Sequence, residues 1–220
     1  MSPEDYKKAI ITISKEALAE LPAAVYPGKI KIIDKEEDVK RAVKDLSKEK
    51  IIGFDTETRP SFRKGQTYKV SLIQLSTKNT GYLFRTNIIG FPNELIEILE
   101  NPEITKVGLS IHDDFHNINK ITPITPAAFI DLQTFVKDYK ISDNSLARIY
   151  AILFGDRISK SQRLTNWEAK ELTESQATYA ALDAYACIKI YEYLKAGKFK
   201  PRKSKYLTIP MEEEKEKTED

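Results

Sequence analysis

The chain has 220 residues, 41% of them hydrophobic, with 35 Lys and Arg against 33 Asp and Glu for a formal charge of +2. This is enough apolar material for one sizeable core in one or two domains, and the charge is too balanced to argue by itself for a polyanionic partner. A single cysteine, Cys187, rules out an internal disulfide framework, and with no long apolar run and a charged N-terminus unlike a signal peptide, the expectation is a soluble, cytoplasmic protein without membrane contact.

Residues 1–28 read as a helical lead-in, with helical patterns over 3–10 and 14–21 and a break at Pro22 and at Pro27-Gly28. A strand over 29–33 is followed by Asp34-Lys35-Glu36-Glu37, a capping-box pattern in which Asp34 would cap. The helix it opens sets Val39, Ala42, Val43 and Leu46 on one face. Strand-like runs follow at 51–56, 69–76 and 80–84. Thr77-Lys78-Asn79 joins the last two at hairpin length, and a polar loop over 59–67 separates the first two. Helix and strand then alternate: helix 93–99, strand 105–110, helix 113–119, a short strand around Phe129, and helices 132–139, 145–154 and 173–194. Antiparallel strands followed by βα units predict an α/β fold, a mixed five- or six-stranded sheet flanked by helices. The main domain is expected over 29–199, and 200–220 as a disordered tail. Six Lys or Arg and no acid fall between Lys195 and Lys205, then six acids and two lysines in the last ten residues. The basic run reads either as a phosphate-contacting patch or as a solvated helix end.

Three places carry chemistry. In Ile51-Ile52-Gly53-Phe54-Asp55-Thr56-Glu57-Thr58, side chains two apart share a strand face, so Asp55 and Glu57 stand side by side and repel unless a cation, a proton or solvent separates them. The pair is either a strand running into a wet acidic loop or half of a divalent-metal site. In the last long helix, Thr173 and Gln176 form a capping box, and Ala180, Ala184, Cys187, Ile188, Tyr191 and Leu194 make a core stripe. Tyr179 and Asp183, four apart, stack beside that stripe, as a core margin with an exposed acid or as a hydroxyl placed to orient a metal-bound water. Cys187 on the stripe reads as a small buried hydrophobe. Asp114, with Asp113 before it, opens a helix after Lys106-Val-Gly-Leu-Ser, where capping alone explains an acid. His112 and His116, at i and i+4 with Asp113 between, also match the spacing of a zinc-hydrolase helix.

Taken together, Ile-Ile-Gly-Phe-Asp55-Thr-Glu57, Lys106-Val-Gly-Leu-Ser-Ile-His-Asp-Asp114 and Tyr179-Ala-Ala-Leu-Asp183 resemble the three exonuclease motifs of the DEDD superfamily, with Tyr179 placing the chain in the tyrosine-containing branch. Val70-Ser-Leu-Ile-Gln-Leu75, Tyr82-Leu-Phe84 and Lys160-Ser-Gln-Arg-Leu-Thr-Asn-Trp167 extend the resemblance over about residues 30–195, in particular to the Werner-type exonuclease domain, with ribonuclease D a near relative. The resemblance implies an RNase H-like fold and a 3′-5′ exonuclease that hydrolyses phosphodiester bonds and releases nucleoside monophosphates. Its substrate would be single-stranded or 3′-recessed nucleic acid, with DNA favoured and RNA 3′-end trimming the alternative. It implies that Asp55, Glu57, Asp114 and Asp183 hold two Mg²⁺ or Mn²⁺ ions, hard cations suited to oxygen ligands, and that Tyr179 orients the attacking water. Thr56, Arg59, Arg63, Lys64, Lys160 and Arg163 are the substrate-contact candidates. Thr58 stands where related sequences often carry an aromatic, and the adjacent Asp113 leaves the third ligand open to a shift of one. A catalytically silent nucleic-acid-binding module is the non-enzymatic rival.

Overall fold

A computed structural model describes residues 1–210; the acidic run from 211 onward lies outside the described residues. The elements in chain order are α1 (Pro3–Lys8), β1 (Ile10–Ile11), α2 (Lys15–Ala19), β2 (Lys29–Ile33), α3 (Glu36–Leu46), β3 (Ile51–Thr58), β4 (Val70–Ser76), β5 (Thr80–Phe84) and α4 (Thr86–Ile89). They continue with α5 (Asn93–Glu100), β6 (Thr105–Gly108), α6 (Ile111–Asn119), β7 (Phe129–Asp131), α7 (Leu132–Phe135), α8 (Leu146–Phe154), α9 (Glu174–Lys195) and β8 (Leu207–Thr208).

Six strands form one mixed sheet in the order β2-β5-β4-β3-β6-β7. The hairpin and its neighbour, β3-β4-β5, are antiparallel, while β2 joins β5, β6 joins β3 and β7 joins β6 in parallel. Helices cover both faces, so central β4 is buried along its whole length and reads as a run without strict alternation. Leu72, Leu83 and Val107 pack with α8 and α9 on one face. Phe54, Ile73, Leu75, Tyr82 and Phe84 pack with α3, α5 and α6 on the other. Helix α9 lies unusually close to β3: a Cβ added at Gly53 would sit 1.8 Å from the Ala184 carbonyl oxygen. Only glycine permits that approach.

Several expectations are corrected. The first helix stops at Lys8, because Ile10 and Ile11 pair antiparallel with Thr208 and Leu207. Ile11 and Ile13 are fully buried in the same apolar cluster as α9, so the lead-in is part of this core. By the same pairing, residues 200–210 are not a loose tail; they carry a 3₁₀ turn, Pro201–Lys203, and β8. Asp34 does not cap α3. The cap position is Lys35, with no side-chain hydrogen bond, and the acids Glu36, Glu37 and Asp38 in the first turn favour the helix N-terminus through its dipole instead. The helix expected over 132–139 divides into α7 and a 3₁₀ turn from Val136. Among the described residues no helix is long and apolar enough to cross a membrane.

Candidate active site

Strand β3 carries the first two acids to an open edge. Gly53, Asp55 and Glu57 lie opposite Ser76, Gln74 and Leu72 of β4, on the face turned toward α9. The other edge of β3 pairs with β6 only from Ile51 to Gly53. Beyond Gly53 the two strands part, and Asp55 and Glu57 stand at the C-terminal end of the sheet where the crevice opens. A register shift between Glu57 and Thr58 ends the regular pairing and releases the chain into the 59–67 loop.

Helix α6 brings the third acid. Ser110, at the cap, has φ 62°, a left-handed conformation that turns β6 sharply into the helix. The Asp131 carboxylate, at the end of β7, accepts from the backbone N–H of Ser110 at 3.1 Å and of Ile111 at 3.2 Å. This contact satisfies two orphan helix donors and sets the rotation of α6. Asp114 consequently turns inward and accepts from the Thr56 hydroxyl, while His112, Asp113 and His116 are exposed. The zinc-hydrolase arrangement is therefore not assembled, and of the two adjacent acids it is Asp114 that faces Asp55.

Helix α9 supplies the rest. Its capping box is closed both ways: the Gln176 N–H donates to Thr173 Oγ1 at 3.1 Å, and the Thr173 N–H to Gln176 Oε1 at 3.0 Å. Gln176 Nε2 also donates to Thr165 Oγ1 at 2.9 Å, which ties the 160–167 segment to the helix start. Trp167, fully buried, backs Tyr179 with ring centroids 6.2 Å apart. Hydrogen bonding from Tyr179 favours the Asp183 carboxylate one helical turn on. Asp55, Tyr179 and Asp183 line a cavity of about 240 Å³ together with Lys160, Arg163, Asn144, Ser145 and Cys187.

Burial is the largest influence on every acid here. It raises Asp55, with the Asp183 charge adding to it, and pushes Glu57 up to about 10, with Asp55 and Asp183 contributing. Asp114 is raised by burial and by Asp55, against the Thr56 hydrogen bond. Asp183 is raised by burial, against Tyr179 and Lys160. The Tyr179 phenol is raised by burial and then by Asp183, so it remains a neutral O–H donor. Burial also raises the Cys187 thiol, with Asp55 and Asp183 adding, which keeps it protonated and a poor ligand.

Among the described residues none of the four carboxylates is ion-paired, and no three His, Cys, Asp or Glu side chains are drawn together tightly enough to hold an ion. The donor chemistry nevertheless fits a divalent cation: hard oxygens only, in excess negative charge, partly withdrawn from water.

The remaining sequence candidates divide. Lys160 and Arg163 line the cleft, and their charges act on Asp183 and Glu57 respectively. Arg59 is held by Glu168 at 3.3 Å and lies 4.7 Å over the Tyr68 ring. Arg63 lines a neighbouring cavity, Lys64 is exposed on the loop, and the Thr56 hydroxyl donates to Asp114. Sequence reasoning missed Asn144, Ser145 and Asp131. Ser145, as the N-cap of α8, carried a local signal; the other two contacts are long-range and carried none.

Against known proteins, a family model described as 3′-5′ exonuclease matches residues 30–197. The mouse bifunctional 3′-5′ exonuclease/ATP-dependent helicase WRN is 31% identical over 184 residues, 79% of this chain and 13% of that protein. Ribonuclease D of Gluconacetobacter diazotrophicus is 28% identical over 181 residues, 80% of this chain and 45% of that protein. The chain thus spans less than half the length of either relative. The crystal structure of the Aedes aegypti Nibbler EXO domain superposes with a TM-score of 0.72 at 22% identity, covering 82% of this chain and 96% of that one. That likeness carries the fold, the RNase H-like mixed sheet.

Proposed function

The chain belongs to the 3′-5′ exonuclease family, and on that premise we propose that it hydrolyses phosphodiester bonds from the 3′ end of a nucleic acid strand, releasing nucleoside monophosphates. One observation carries this reading: Asp55 from β3 and Asp183 from α9 line one crevice with Tyr179, Lys160 and Arg163, while the charges of Asp55, Asp183 and Asp114 act on Glu57 and that of Asp55 on Asp114. DEDD-type exonucleases use divalent metal ions. Here the four carboxylates would hold two, Mg²⁺ or Mn²⁺, which when bound supply an activated water and neutralise charge on the departing 3′ oxygen.

The chain's own groups do the positioning. Tyr179 keeps its proton and, fixed between Trp167 and Asp183, offers a rigid hydroxyl to orient the attacking water. Lys160 and Arg163 attract the scissile phosphate into a cleft whose walls are otherwise negative, and a backbone-phosphate contact is tolerant of sequence. The parting of β3 and β6 gives the strand end a way in.

Incubation of the protein with 3′-labelled and 5′-labelled single strands of DNA and of RNA, with Mn²⁺ or Mg²⁺, tests the reading. Labelled mononucleotide should appear at the earliest times from the 3′-labelled strands only, with a shrinking ladder from the 5′-labelled ones. Binding without any release of mononucleotide would replace it with the silent binding module. The ratio of DNA to RNA rates identifies the preferred substrate.

A further inference from the structure

We propose that Gln74, on β4, is a positioning residue for Asp55: its amide donates to the Asp55 carboxylate when that group holds a divalent cation, and so fixes the direction in which Asp55 presents its oxygens. This deepens the exonuclease reading and rests on it. Gln74 is wholly buried. Among the described residues neither its Nε2 nor its Oε1 has a hydrogen-bond partner, and no other side chain has two such atoms. A buried amide without partners has lost its hydration uncompensated and destabilises the fold. A bond made in the loaded site would offset that cost.

The sheet shows which group can accept such a bond. Side chains directly opposite one another on antiparallel strands share a face, with Cβ atoms about 5 Å apart. One row across the sheet is Gly53, Ser76 and Gly81, and α9 closes over it. A Cβ at Gly53 would meet the Ala184 carbonyl, and one at Gly81 would lie 2.9 Å from the Ala181 methyl. The next row, toward the cleft, is Asp55, Gln74 and Leu83. Leu83 is apolar, and Ala180 and Ala181 of α9 belong to the same apolar cluster. Asp55 is therefore the one acceptor side chain beside Gln74 in its row, with Glu57 a diagonal step further off.

Asp55 also lacks what two of its partners have. Asp114 accepts from the Thr56 hydroxyl and Asp183 from the Tyr179 hydroxyl. Among the described residues Asp55 has a single donor, the backbone N–H of the adjoining Thr56 at 2.9 Å from Oδ1. Carboxylates that ligate metals are themselves held by hydrogen bonds, and loss of such a partner typically costs about 10- to 100-fold in metal affinity. An amide suits this place because it adds a donor without adding charge. A lysine there would compete with the cation.

Mn²⁺ binding by the full chain, measured by titration calorimetry, tests the assignment together with urea unfolding in EDTA. Gln74→Met keeps the volume and removes the amide. It should weaken Mn²⁺ binding at least about tenfold, while the urea midpoint in EDTA stays level or rises because an unbonded buried amide is gone. A merely structural role would lower both. Gln74→Leu carries the same two expectations and decides the matter should the methionine variant fail to fold. An unchanged Mn²⁺ affinity overturns the assignment, and so does a weaker affinity that comes with a lower urea midpoint. Either result leaves the nuclease reading standing as long as the unmodified chain binds Mn²⁺ and releases mononucleotides. An unmodified chain that binds no Mn²⁺ overturns both.

Discussion

Strand β3 and helix α9 run together from a packed end to a charged end, and the two ends treat charge in opposite ways. At the packed end Gly53 lets α9 settle onto the strand. Beyond it Lys78 pairs with Glu192 at 2.8 Å, and Lys189 donates to the Tyr150 hydroxyl at 2.6 Å with its ammonium over the Tyr150 and Phe154 rings. At the other end four acids lie near one another and, among the described residues, none is ion-paired; Lys160 and Arg163 act on Asp183 and Glu57 only through their charge. A groove of about 840 Å³ lies at the packed end, several times the size of the carboxylate cavity. Size therefore does not locate the chemistry; uncompensated charge does. The packed end supplies the rigidity that holds the charged end in a state it would not adopt alone.

The contrast is broken most sharply at the acids. Asp183→Asn should reduce turnover by at least about a thousandfold, the scale of several kcal/mol of charge stabilisation, while the metal-free protein melts no lower than wild type because one repelling charge is gone. Turnover within tenfold of wild type would remove Asp183 from the mechanism. Gly53→Ala inverts this pattern. Its Cβ overlaps the Ala184 carbonyl, and overpacking against backbone should cost about 3 kcal/mol, read as a lower urea midpoint. A fully stable Gly53→Ala protein would mean that the helix can shift.

Metal is next in size. Mn²⁺ at about a hundred times its Kd should stabilise the protein by about 2.7 kcal/mol, and EDTA should reverse it. An unchanged melting temperature argues against the four-acid site. Acidity reports the same strain. The folded-state pKa values of Asp55, Glu57, Asp114 and Asp183 are raised, Glu57 from 4.5 to about 10, so the folded chain binds more protons than the unfolded one between those limits. Stability in EDTA should therefore fall as pH rises above about 4.5 toward about 10, and Mn²⁺ should flatten the slope; a rising slope would contradict the burial assigned to these groups. The smallest effect belongs to the packed end's rim. Lys78 is 65% exposed in its pair with Glu192, so Lys78→Ala should change stability by less than about 1 kcal/mol, and a larger loss in chemical denaturation would show that the pair anchors α9.

Much of this was readable because it is local. A period of two puts Asp55 beside Glu57, a helical turn puts Tyr179 beside Asp183, and Thr173 with Gln176 marks the helix start. The lead-in was misread for the opposite reason. Pairing of Ile10 and Ile11 with Leu207 and Thr208 joins chain segments almost two hundred residues apart, and no short-range pattern announces it.

By itself, the amino-acid sequence determined which residue types recur at strand and helix spacing, and therefore the order of elements and the presence of three acidic points. Tertiary structure decided which of Asp113 and Asp114 turns inward, through the Asp131 contacts that rotate α6. It also decided that the Thr56 hydroxyl meets Asp114, and that Phe62 and Leu164 share one cavity. The physical reason is the same in each case. Direction along a chain follows from backbone periodicity, but the meeting of side chains from distant segments depends on how helices rotate and pack on the sheet.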